Sequence, residues 1–126
     1  MVPTQDDDYV ITRKDTLYRR FPISDEPKYE AFWKFENGRK VPSSAAFKTK
    51  PEEDGLSVDI AALTSPEQTQ GNSLKFGVAE ISASTPIYLG YQCIQNKMLN
   101  NRAHALILGD TNPIAKKLSK AIINVY

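Results

Sequence analysis

Cysteine and histidine are almost absent from this sequence: Cys93 and His104 stand alone. A single cysteine excludes an internal disulfide and a thiolate-rich zinc site. Together with one histidine it cannot build the common transition-metal clusters within one subunit. An excess of charge is missing too. The 16 Lys and Arg residues meet 15 Asp and Glu, for a formal net charge of +1. That balance supplies no steering field and argues against nucleic acid or an anionic membrane as partner. Long apolar runs are lacking, and no stretch approaches the length that crosses a bilayer.

Several motifs are absent as well. There is no Gly-rich phosphate loop, no GxGxxG, no HExxH and no GxSxG. Asp6 to Asp8 lack the glycine and spacing of a calcium loop. No metal and no cofactor is expected from this inventory.

What is present describes an ordinary soluble chain. Of the 126 residues, 40% are apolar and 25% charged. That length suits one domain, which can hide about two thirds of its unfolded surface without staples. The first residues, MVPTQDDD, are acidic and polar, so residues 1–8 are expected to be flexible, with a single domain over 9–126. The lone cysteine and the polar start lead to a cytoplasmic expectation.

Periodicity then places the elements. Tyr9 to Ile11 suggest a short strand, and Leu17, Tyr18 and Phe21 a second one that contains Arg19 and Arg20. Pro22 to Pro27 is a break. The run KYEAFWKFENGRKVP carries dense aromatic surface before the turn signal Asn37-Gly38. A hairpin and a helical turn both fit this run, and a mostly irregular segment pinned by Trp33 is preferred. Ser43 and Ser44 either cap a turn through Ala45–Lys48 or precede a short strand. LSVDIAAL alternates as a half-buried strand, with Asp59 placed to cap a turn after it. SPEQTQ has the Ser-Pro order of a brief helix start. SLKFGVAEIS, TPIYLGYQCIQ and AHALIL are read as strands. Asn112 and Pro113 open a last helix, with Ile114, Leu118, Ile122 and Val125 on its apolar face. The sum is an α+β fold, a mixed and mainly antiparallel sheet with a C-terminal amphipathic helix packed on one face.

Four polar groups flank these strands: Arg19 and Arg20; Ser43 and Ser44; Asp59 with Ser57; and Asn100, Asn101 and Arg102 with His104. Arginine binds carboxylate or phosphate in planar forks, and histidine moves protons near neutral pH. Such a set could hold a small anionic or nucleotide-like ligand. The plainer reading makes each a structural group: a strand histidine tied to backbone, serines in turns, and Glu80 paired with Arg19 or Arg20. Cys93, in an apolar strand, reads as a small hydrophobe rather than a nucleophile for His104.

The segments LYRR (Leu17–Arg20), PSSAAF (Pro42–Phe47), LSV (Leu56–Val58) and NRAHA (Asn101–Ala105) together resemble a group of small uncharacterised bacterial proteins. The resemblance implies no activity and assigns no catalytic residue. Three functional expectations follow from the residues. One is a binding protein for a small anionic metabolite. Another is a small enzyme using Arg20, Ser44 and His104. The last is a protein-interaction module of a bacterial defence or toxin–antitoxin system, with Phe32, Trp33, Phe35 and Tyr88 as contacts.

Overall fold

The computed structural model describes residues 8–126. Of the segment expected to be flexible only Asp8 falls within that range, 3.3 Å from Lys97 Nζ. The period-two pattern of the strands decides the layout. In β1 (Thr16–Pro22) Leu17 and Phe21 point to one side and are 0% and 1% exposed, while Tyr18 and Arg20 point to the other. Leu56, Val58 and Ile60 of β4 (Gly55–Ile60) enter the same core layer. So do Ala79 and Ile81 of β5 (Phe76–Ser82) and Ala105 and Ile107 of β7 (His104–Leu108). Short edge strands β6 (Cys93–Gln95) and β8 (Ile122–Val125) complete a six-stranded sheet of order β6-β7-β4-β1-β5-β8. Every pairing in it is antiparallel.

The core face is covered by α3 (Ala115–Lys120), which buries Ala115 and Leu118, and by a 3-10 turn over Ser44–Phe47, which buries Ala46 and Phe47. Full burial of side chains such as Leu17, Phe47 and Leu118 stabilises by about 1.5–3 kcal/mol each. Helix α1 (Pro66–Gln70) starts as the sequence predicts, with Pro66 in its first turn and Ser65 Oγ accepting from Gln68 N at 3.2 Å. The chain is therefore α+β, with a mainly antiparallel sheet and a C-terminal helix on one face. No helix among the described residues is long and apolar enough to cross a membrane.

Several local expectations are overturned. Residues Tyr9 to Ile11 form no strand. The aromatic run is neither irregular nor helical throughout: a 3-10 turn over Pro27–Phe32 leads into a hairpin of β2 (Trp33–Glu36) and β3 (Arg39–Pro42). Its turn is Asn37 and Gly38, both at positive φ, the geometry that a tight two-residue hairpin requires. TPIYLGYQCIQ is not one strand. Its first half is α2 (Ser84–Tyr88), with Pro86 in the first turn where no N–H is needed, and Gly90 at φ +91 ends it. The last helix is shorter than its apolar spacing suggests. The β-branched run Ile122–Val125 joins β5 as β8 instead, because a sheet edge outweighs helical spacing there. Glu80 does not pair with Arg19 or Arg20. It accepts from Asn124 Nδ2 at 3.1 Å and from Tyr126 Oη at 2.9 Å. Burial pushes its carboxyl up, but those bonds outweigh it and hold the group below its ordinary value.

Arg19 has a different task. Strand β1 pairs with β5 along its whole length but with β4 only at Leu17–Ile60 and Tyr18–Asp59. Past Tyr18 the two strands part, and the Arg19 guanidinium spans the gap. Nη1 donates to the Ser57 carbonyl at 2.9 Å and Nε to the Ala46 carbonyl at 2.8 Å. Burial lowers the side chain to about 10, partly countered by Glu53, so it stays cationic at neutral pH. Among the described residues the two carbonyls have no other side-chain donor. Arg19→Leu is expected to cost about 2–5 kcal/mol in chemical denaturation, against under about 0.5 kcal/mol for Arg20→Leu. Equal small losses for both variants would show that the gap needs no bridge.

Candidate functional site

The antiparallel register lays a polar row across the face opposite the core. Tyr18 stands across from Asp59 on one side and from Glu80 on the other. Asp59 in turn stands across from His104, and Glu80 across from Asn124. Five neighbouring strands thus contribute one residue each, with facing Cα atoms about 4.5–5.5 Å apart. Over the β1–β4–β7 part of this row lies an open groove of about 520 Å³. Helix α1 forms one wall through Gln68 and Thr69, and the loop before β7 forms another through Met98 and Asn101.

Asp59 is 9% exposed and organises the centre. It does not cap the turn over Ala61–Leu63, which has no side-chain cap. Its Oδ2 accepts from Thr69 Oγ1 at 2.7 Å, and its Oδ1 from Asn101 Nδ2 at 3.0 Å. Two neutral donors therefore hold the carboxylate, tying α1 and the loop to β4. Asn101 is itself fixed: its backbone pairs in both directions with Met98, and its Oδ1 accepts from Ala103 N at 3.2 Å.

His104 is oriented by the backbone. Its Nδ1 lies 2.9 Å from the Asn96 carbonyl, which can only accept, so Nδ1 carries the proton. Nε2 is the ring nitrogen left over, and no ion pair joins His104 to Asp59 among the described residues. Arg20 is exposed and stacks over the Phe76 ring, 4.3 Å from its centroid. The pairing of Arg20 with Val78 puts Phe76 diagonally opposite on the same face. Arg20 makes no hydrogen bond or ion pair within the described residues. The same holds for the Tyr18 hydroxyl and the Ser57 hydroxyl. Burial raises the Tyr18 phenol above its ordinary value, with Glu80 and Glu67 adding to the effect, so it is a donor at neutral pH. Arg19 and Arg20 both line the groove, beside one carboxylate, Asp59, each of whose oxygens accepts from one neutral donor.

The candidate residues divide accordingly. Arg19, Arg20, Asp59, Asn101 and His104 all line this groove, although Arg19 spends two donors on backbone. Ser43 and Ser44 do not. They border a separate cleft between the hairpin and β8, where Ser43 Oγ donates to the Ala31 carbonyl. Three of the four segments that carry the bacterial resemblance, LYRR, LSV and NRAHA, fall on the adjacent strands β1, β4 and β7 or lead directly into them. Tyr18, Thr69 and Phe76 were not among the candidates. Only Tyr18 had a visible signal, two residues from Arg20 on the same strand face.

The aromatic candidates lie elsewhere. Trp33 is half-buried, donates from Nε1 to the Ser24 carbonyl at 2.9 Å and carries Lys40 over its ring. Phe32 is half-buried beside it, while Phe35 and Tyr88 are 66% and 78% exposed on separate elements. No cluster of metal-ligating side chains is found among the described residues. Comparison with protein-family models, curated proteins and solved structures finds no match for the chain.

Cys93 faces Ile107 across β6 and β7 and packs on the core, whereas His104 points to the opposite face. The two cannot act together. Burial raises the thiol to about 11, so thiolate is scarce at neutral pH. Alkylation by iodoacetamide is expected to be slow at about pH 7.5 and to keep rising towards pH 11. A rate that levels off near about pH 8.5, as for a free thiol, contradicts the burial.

Proposed function

We propose that the groove over β1, β4 and β7 binds a small anionic ligand, phosphorylated or carboxylated and up to nucleotide size. The observation that carries this reading is Arg20. Its guanidinium is exposed, held in place by Phe76, and spends none of its five donors within the described residues. A planar cation of this kind takes phosphate or carboxylate in a two-pronged contact. Tyr18 Oη and Ser57 Oγ add donors, and Arg19 adds charge. The volume lies within the range of small-molecule sites.

A catalytic version of the same reading rests on His104. Its Nδ1–H bond to Asn96 fixes the tautomer, which is how a proton-carrying imidazole is commonly set. Such an enzyme would use Arg20 and His104 without Ser44, which borders the other cleft.

The test is a thermal-shift screen of phosphate, nucleoside monophosphates and di- and tricarboxylates. At least one raises the melting temperature of the wild type. Arg20→Gln, at an exposed position, leaves the unliganded melting temperature unchanged and weakens that ligand about tenfold or more. Turnover of the ligand that disappears in His104→Ala, with binding kept, selects the enzyme. A ligand that stabilises Arg20→Gln as well as wild type ends the proposal, and so does a screen without any stabilising anion.

A further inference from the structure

A second groove, independent of the anion site, lies between the hairpin and the C-terminal strand. It encloses about 800 Å³. One wall is a single face of the hairpin, made by Lys34 and Glu36 of β2 with their cross-strand partners Val41 and Arg39. Opposite lie all four residues of β8, together with Lys116 and Lys120 of α3. Four consecutive strand residues line the groove, so it meets the edge of β8 rather than one of its faces.

That edge is open. Tyr126 exchanges two backbone bonds with Val78, at 2.8 and 3.1 Å. In an antiparallel ladder the preceding residue then turns its N–H and C=O away from the partner strand. The outward carbonyl of Val125 is met by Arg39 Nη2, and the Val125 N–H has no partner among the described residues. Ile123 beside it is 52% exposed. Around this edge stand four cations, Lys34, Arg39, Lys116 and Lys120, against the single acid Glu36. Lys34 is 3.8 Å from Glu36, while Lys116 and Lys120 make no ion pair among the described residues.

We infer that β8 receives an extended acidic segment of a partner protein as an added strand, with its side chains against the hairpin face. The Val125 N–H is a donor on this edge, and the backbone carbonyl of an extended peptide answers it. A nucleic-acid strand meets the cations but brings no row of amides and carbonyls to lie along β8. A second copy of this chain would bring its own basic surroundings to the same edge, and like charges would oppose that pairing.

The test uses a blocked peptide of alternating glutamate and valine, with amide exchange read residue by residue by NMR. The peptide slows exchange of the Val125 amide. Lys116→Glu with Lys120→Glu, two exposed positions, weakens it about three- to tenfold, and a lysine-for-glutamate peptide gives no protection. Exchange at Val125 that is unchanged by saturating peptide overturns the inference, as does equal protection by the basic peptide. Protection that rises with protein concentration alone would assign the edge to a second copy. Binding of single-stranded DNA without Val125 protection would assign the cations to nucleic acid. Either result also overturns it.

Discussion

The register of β1 with its two neighbours is the constraint on which the rest of the structure depends. Leu17 sits across from both Ile60 and Ile81, and Tyr18 across from both Asp59 and Glu80. A slip of one residue would exchange these sets and turn the core face to water. The same alignment therefore builds the hydrophobic layer and the polar row. The row is a by-product of burying Leu17 and Phe21 rather than an added feature. Its position explains why Asp59, Tyr18 and His104 share one surface although they come from distant parts of the chain.

Arg19 is where this arrangement is weakest and most instructive. An arginine on the core side of a central strand would normally be a heavy desolvation cost. Here the parting of β1 and β4 leaves backbone carbonyls to be met, and the guanidinium meets two of them. Its neighbour Arg20, one residue on, points to the other face and keeps its donors. Alternation thus divides two adjacent arginines into a structural one and a free one. Asp59 is held in the same way: Thr69 and Asn101 each donate to one of its oxygens, so it ties α1 and the loop to β4, while Arg20 keeps its donors.

Much of the fold was legible in the sequence because alternation is a local signal. Leu56, Val58 and Ile60, or Ala105 and Ile107, report their strands without help. The Ser65-Pro66 start of α1 was equally local. What failed depended on distant partners. Ile122 and Val125 keep helical spacing with Ile114 and Leu118, yet a vacant edge on β5 draws them into a strand. Ile87, Leu89 and Tyr91 alternate like a strand, yet Pro86 sits in the first turn of a helix and Gly90 follows its end. The Asn37-Gly38 signal was present, and the aromatic residues before it obscured its weight. Site residues follow the same rule. Arg20, Asp59 and His104 could be singled out as polar groups next to strands, but register alone brings them together. Ser43 and Ser44 looked alike by that measure and fall in another cleft. Thr69 carried no signal, because only the docking of α1 on β4 brings it to Asp59.

The most direct test of the central claim is an NMR titration with inorganic phosphate that follows the Arg20 Nε–H and the His104 ring. The account predicts saturable shifts of both, with Tyr18 moving alongside, while Lys116 and Lys120 stay unchanged. Shifts that grow linearly without saturation, or that centre on Lys116 and Lys120 while Arg20 and His104 stay fixed, would contradict it.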